Sequence, residues 1–258
     1  MTAGRDLAED IPDWRDPHSY NFLMRCERVA FAWEWLRRDV RFRDAALFGG
    51  GAPPAAASEW GLHDFTDPRL DTRSARPVWR AEWHSLVLGA QAERAPMGAD
   101  TIDIRILGGI TTILKDQAGQ HLLLSDGLRN IRLDVTGGDL TRGSARLAYR
   151  LSGIASAAGP LLVLRQALAL FGTHHFARTL HPPFRRAARQ ILLLRAHDAI
   201  RAGAGQRAIA ASLFGPDAAT SGWRFANPSL RSRVQRLVRT AREVASGGYV
   251  DLLGMRDP

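Results

Sequence analysis

The spacing of apolar residues changes twice along this chain of 258 residues, and those changes limit the folds open to it. Residues 11–49 read as a loop followed by a long helix. Asp16–Pro17 supplies an N-cap and a proline at the first helical position, and Phe22, Cys26, Val29, Trp33 and Leu36 recur at three- and four-residue spacing. The run Gly49-Gly50-Gly51-Ala52-Pro53-Pro54 ends that stretch, because it cannot continue a helix. From Thr101 the period shortens to two: Ile102, Ile104 and Ile106 alternate with polar residues. Residues 111–115, 121–124, 130–135 and 145–151 read as strands, with Asp116-Gln117-Ala118-Gly119 as a hairpin turn. After Gly159–Pro160 the helical period returns over residues 161–171, 183–200, 206–214 and 229–245. Gly203, Gly205, Gly215, Gly247 and Gly248 punctuate these segments as helix caps do.

The expected class is therefore α+β. A helical, aromatic-rich module occupies residues 10–85, a small and mostly antiparallel sheet residues 95–152, and an all-α helix-turn-helix variant residues 156–258. Six of the seven tryptophans (Trp14, Trp33, Trp35, Trp60, Trp79 and Trp83) lie in the first region. They predict a small aromatic core onto which residues 60–79 wrap, with an exposed partner surface as the alternative. The single cysteine, Cys26, excludes an internal disulfide and any multi-cysteine metal site. On the apolar stripe it reads as a buried packing thiol. The longest apolar stretch, residues 161–171, is interrupted by Arg165 and Gln166 and falls short of the ~20 residues a membrane span needs. Residues 1–10 carry Asp6, Glu9 and Asp10 and lack the basic and apolar regions of a signal peptide, so a soluble, cytoplasmic protein is expected.

Charge sharpens the reading. The net charge is +9, and Lys115 is the only lysine among the 35 bases. Through residue 150 the chain carries 20 bases against 21 acids; from residue 151 it carries 15 arginines against five acids. The whole excess sits in the last part of the chain, as expected of a polyanion-binding unit beside a near-neutral one. On that ground residues 156–258 are expected to bind DNA by themselves.

The last helix concentrates this charge. At ~100° per residue, Leu230, Val234, Leu237, Val238, Ala241, Val244 and Ala245 fall within one arc. The rest of the circumference holds Arg231, Ser232, Gln235, Arg236, Arg239 and Arg242, with Arg233 at its edge and only Glu243 opposing them. One side packs; the other offers what phosphate neutralisation and major-groove reading require. Residues 205–215 have the form of the first helix of a helix-turn-helix, with Arg207 at its start and Ile209 and Leu213 pointing inward. Residues 183–200 provide the helix behind the pair. The connection departs from the motif: residues 216–228, with Trp223 and Arg224, replace a turn of about three to four residues. Trp223 is expected to anchor that insertion.

These residues resemble a known family. The tail Gln206-Arg207-Ala208-Ile209-Ala210, Leu213-Phe214-Gly215, Trp223, Leu230-Arg231-Ser232-Arg233-Val234, Arg236-Leu237 and Gly247-Gly248-Tyr249-Val250-Asp251-Leu252-Leu253 resembles the RovC-like DNA-binding domain. The FseA-type activators of integrative and conjugative elements belong to the same family. The front end, Pro12-Asp13-Trp14-Arg15-Asp16-Pro17, Tyr20, Phe22-Leu23, Ala32-Trp33-Glu34-Trp35-Leu36-Arg37-Arg38, Gly61-Leu62 and Asp67-Pro68, is similar to the transcriptional-regulator-like domain that often precedes it. The resemblance implies a DNA-binding transcriptional activator associated with excision and transfer of mobile elements or with type VI secretion operons. It also implies that a related domain acts as an antiactivator through protein contact.

Enzyme signatures are absent from the sequence. His174 and His175 point in different directions from a helix end and, with His181, have no nearby Cys, Asp or Glu to complete a metal site. Asp13 and Asp16 read as turn and capping residues. No Gly-x-Ser-x-Gly, His-Glu-x-x-His or nucleotide-binding loop occurs, and Gly108-Gly109 stands alone. No enzyme activity, metal or cofactor is expected. Two function classes stay open. In the first, Arg207, Arg231, Ser232, Arg233, Gln235, Arg236, Arg239 and Arg242 contact double-stranded promoter DNA, and the front regions mediate homo-oligomerisation or contact with RNA polymerase. In the second, the same basic helix binds an acidic protein partner.

Overall fold

The computed structural model describes residues 11–48, 54–216 and 228–254. The front of the chain is helical but not one long helix. Asp16 caps a 3₁₀ helix, Pro17–Arg25, by accepting from the His18 amide at 2.9 Å. Two short helices follow, α1 (Arg28–Leu36) and α2 (Val40–Phe48). The continuous helix expected from the apolar stripe is broken at Cys26–Glu27, where the backbone serves tertiary contacts instead. The Cys26 carbonyl accepts from Phe184 N at 2.9 Å, and Glu27 N donates to the Leu128 carbonyl at 3.2 Å. The stripe still faces inward. Cys26, Trp33 and Leu36 are buried and Phe22 and Val29 half-buried against the same core, joined by buried Tyr20 and Leu23; burial pushes the Cys26 thiol up to about 12.

The tryptophans form a core. Trp33, Trp35 and Trp79 are buried, with Trp60 and Trp83 packed against them, and Phe42 meets Trp33 and Trp60 edge-on. Trp14, also buried, departs from the expected cluster and packs with the C-terminal helices instead. Residues 60–79 wrap onto α1: Leu62 bridges Trp79, and Trp33 Nε1 donates to the Leu70 carbonyl at 3.0 Å.

The middle sheet has five strands: β1 (Leu88–Arg94), β2 (Thr111–Asp116), β3 (Gly119–Ser125), β4 (Asn130–Gly137) and β5 (Ala145–Arg150). Their order is β2-β3-β4-β1-β5, and only β1 with β4 is parallel. Gly119 closes the β2–β3 turn with φ +142°, a conformation that L side chains rarely adopt. The isoleucine alternation misleads at its start: Ile102 makes an isolated bridge to Ala145, and Ile104–Ile110 is a 3₁₀ segment. One sheet face, with Leu88, Ala90, Leu122, Leu124, Ile131, Leu133 and Val135, packs on Val163, Ala167 and Leu170 of helix α3 (Ala158–Thr173). Arg132 belongs to the other face, where its Nε donates to the Trp79 carbonyl at 3.1 Å.

Helices α4 (Ala187–Arg201), α5 (Gln206–Phe214) and α6 (Pro228–Ala245) follow, and a 3₁₀ turn, Gly248–Leu253, closes the described chain. The largest core crosses the whole sequence. Tyr20, Phe31, Trp33, Trp35 and Phe42 share it with Leu193, Leu194, Ala196, Ala241, Tyr249, Leu252 and Leu253. A buried ion network ties the same parts together. Arg38 reaches Asp198 bidentately, Nε to Oδ1 at 2.8 Å and Nη2 to Oδ2 at 2.9 Å, and Tyr20 OH donates to the same carboxylate at 2.7 Å. Glu34 accepts from Arg37 Nε at 2.8 Å, from Arg38 Nη1 at 2.6 Å and from Thr72 N at 2.9 Å. Burial alone would raise the Glu34 carboxyl; the Arg37 and Arg38 guanidiniums reverse this and bring it to about 2. A fragment of residues 156–258 would expose Leu193, Ala196 and Leu253 and leave Asp198 without its guanidinium. The C-terminal third thus shares its largest core with the front module.

Removing either partner strands a buried charge. Arg38→Ala or Asp198→Ala is expected to cost about 3–5 kcal/mol of unfolding free energy, measured by urea denaturation. Acid acts through other buried groups as well. Burial lowers the His84 pKa to about 3, helped by the charges of Arg132 and Arg28, and lowers that of His197 to about 4. Both lie below the unfolded value of about 6.5, so the unfolded state binds more protons between those limits. Their contribution is complete above about pH 6.5 and is lost as pH falls through the folded values; Glu34 adds loss of the same sign below about pH 4.5. Thermal melts are expected to give a lower Tm at pH 5 than at pH 7.5.

Candidate nucleic-acid interface

Helix α6 is amphipathic because its apolar residues repeat at three and four positions, and the fold buries that stripe. Val234, Val238 and Ala241 are buried. Val234 and Val238 form a compact cluster with Ile209 and Ala210 of α5, Ala199 of α4 and Trp14 from the front module. The small Ala199 and Ala210 side chains let the three helices approach closely. Arg195 holds this arrangement from behind: largely buried, it donates through Nε to the Trp14 carbonyl at 2.9 Å. Arg201 Nη1 likewise donates to the Arg38 carbonyl at 2.7 Å. These two arginines of the basic third serve the fold.

The opposite face of α6 is open. Arg231, Ser232, Arg233, Gln235, Arg236, Arg239 and Arg242 are all exposed, as is Arg207 in the first turn of α5. Gln206, Gln235, Arg239 and Arg242 line one shallow groove where the start of α5 meets α6. The α5 N-terminus thus stands beside the arginine row, so its uncapped amides and the guanidiniums share one surface. Gln206 was not singled out from the sequence; its place at the first position of a helix crossing the basic one was the available signal. Arg239 Nε lies 3.6 Å from Glu243 Oε1, with both side chains mostly exposed, a pair worth little in water. Arg233 differs from its neighbours, since its guanidinium sits 4.4 Å over the Phe214 ring. Residues 217–227, including Trp223 and Arg224, lie outside the described residues.

The histidines considered as metal ligands separate. His174 ends α3 in the left-handed conformation with φ 58°, His175 is exposed, and buried His181 pairs through Nδ1 with Glu27 Oε1 at 2.7 Å. Asp13 and Asp16 organise turns: Asp13 Oδ1 accepts from Arg15 N at 3.0 Å, and Asp16 caps as described. Among the described residues, no helix is long and apolar enough to cross a membrane.

Three helices thus pack around a small apolar cluster, and one of them presents an arginine face with Glu243 as its acidic member. Residues 158–254 match the family model described as "T6SS, Transcription factor, DNA binding domain". Residues 13–63 match the "Proteobacterial transcriptional regulator-like domain". The two segments are similar to these domain families, and the matched domains indicate a DNA-binding transcriptional regulator. No curated protein and no solved structure matches it.

The geometry separates the arginines by stability. Arg236→Ala and Arg239→Ala are expected to leave unfolding free energy within about 0.5 kcal/mol of the parent. Arg233→Ala is expected to cost about 0.5–1 kcal/mol through loss of the Phe214 contact. Urea melts of the three variants check the difference.

Proposed function

We propose that the chain activates transcription by laying the arginine face of α6 in the major groove of promoter DNA, with α5 braced on the adjacent backbone as a helix-turn-helix variant. Arg231, Arg233, Arg236, Arg239 and Arg242 contact phosphates or guanine edges, Ser232 and Gln235 add hydrogen bonds, and Arg207 grips phosphate near the α5 N-terminus. The observation that carries this reading is an exposed helical face with seven hydrogen-bonding side chains, five of them arginine, against one glutamate. A helix that merely faces water mixes both signs. The shared core supports the full chain, rather than its last third, as the functional species.

The target genes follow from the resemblance and the matched domain description: excision and transfer functions of a mobile element, or a type VI secretion operon. The front module and the sheet are then free to contact RNA polymerase or a second copy of the chain, in the cytoplasm at the nucleoid. The competing reading, an antiactivator-like regulator that binds an acidic protein, predicts different salt behaviour. For the DNA reading, duplex affinity of the full chain falls steeply with salt, with a log–log slope near −0.9 per neutralised phosphate. Arg236→Ala combined with Arg239→Ala is expected to weaken binding at least tenfold, each lost phosphate contact flattening the slope by about one unit. A flat salt response, or unchanged affinity in the double variant, overturns the reading.

A further inference from the structure

We propose that His63, Asp116 and His121 form a divalent transition-metal site, of the kind zinc occupies, that clips the front module to the middle sheet. The three residues are far apart in sequence and arrive from separate elements. His63 follows Leu62, whose bridge to Trp79 fixes the strap lying over the sheet, and its amide donates to the Val78 carbonyl at 2.9 Å. Asp116 ends β2, and His121 lies on β3 across the hairpin. One ligand atom from each lies within 4.8 Å of the others. A contraction of about an ångström, within reach of side-chain rotation, brings all three to the ~2.0–2.2 Å bonds that zinc makes with imidazole and carboxylate.

Several features prepare these atoms for a cation. Asp116 Oδ1 is occupied by the turn, accepting from Ala118 N at 2.8 Å and Gly119 N at 3.2 Å. Its Oδ2 is left toward the imidazoles, 2.9 Å from His121 Nε2 and 3.9 Å from His63 Nδ1. His121 Nδ1 is held by Asp134 Oδ1 at 2.6 Å from the directly opposite position on β4. That is the carboxylate–histidine support which fixes the tautomer and presents Nε2 to a metal. Asp134 also pairs with Arg132 at 2.7 Å, which offsets the nearest positive charge. The two side chains are more than nine-tenths buried, and their imidazoles stack with centroids 3.5 Å apart, so a turn of the His63 ring is what brings its nitrogen to face a shared cation. Asp116 is exposed and provides the entrance. Two imidazoles and one carboxylate suit zinc, with water completing the shell.

The test uses the full chain after dialysis against a chelator, with zinc chloride added and bound metal counted by equilibrium dialysis. The expected result is one tightly bound zinc per chain and a Tm raised by several degrees. His63→Gln and Asp116→Asn, at the strap and at the exposed carboxylate, are expected to abolish that site while circular dichroism stays unchanged. A His174→Ala, His175→Ala double variant controls for surface binding and is expected to retain it. Cobalt substitution is expected to give the intense visible bands of a tetrahedral centre in the parent only. The proposal is overturned if the parent binds no zinc, if the His63 and Asp116 variants bind as the parent does, or if the surface double variant loses the metal. Each such result leaves the His121 imidazole as a bridge between Asp116 and Asp134.

Discussion

One buried ion pair joins the two ends of this protein. Arg38, at the end of the first true helix, holds Asp198, on the helix behind the arginine face, through two hydrogen bonds. Bidentate pairing fixes orientation as well as distance, because the planar guanidinium fork admits only one alignment with the carboxylate. Desolvating both groups is costly, and the surrounding bonds from Tyr20 and Glu34 offset that cost. What the pair contributes is a unique register between α1 and α4, more than net stability. Since α5 and α6 pack on α4, that register carries outward to the exposed arginine surface.

The same residue type thus performs opposed tasks. Arg37, Arg38, Arg43, Arg132 and Arg195 are buried and answer carboxylates or backbone carbonyls. The α6 arginines are exposed; among the described residues Arg233 lies over Phe214 and Arg239 near Glu243. A guanidinium serves both ends because it stays charged in either setting and donates in a fixed plane. The front module's part in the regulator is consequently mechanical as well. Trp14 completes the cluster beneath α6, and the closing 3₁₀ turn returns to α1 through Tyr249 and Leu253. The helices proposed to read DNA therefore rest on the front half of the chain.

The ends of the chain were more legible than its middle. The four C-terminal helices stand within a few residues of their sequence positions, since strong 3.6-residue periodicity and glycine punctuation act locally. Strand β1 escaped notice although it lies inside the sheet. Leu88, Ala90 and Ala92 do alternate inward, but alanine and glycine carry little strand preference, and the pairing with β4 and β5 supplies what the local sequence lacks. The front helix was drawn too long for a related reason. Cys26 and Glu27 are compatible with a helix, yet their backbone groups are claimed by Phe184 and Leu128, which no local pattern reveals.

Sequence alone settled the matters that depend on near neighbours: three regions of different period, an aromatic core in the first, and a terminal helix with arginines on one side only. Periodicity and charge along one helix need no knowledge of the rest of the chain. Tertiary structure decided which distant groups meet. Nothing near Arg38 in sequence marks its pairing with Asp198, 160 positions away. His63 and His121 were unrelated histidines until the strap folded across the sheet. Such meetings are fixed by how whole elements pack, and burial, which gives a charge or an imidazole its chemistry, exists only once they have done so.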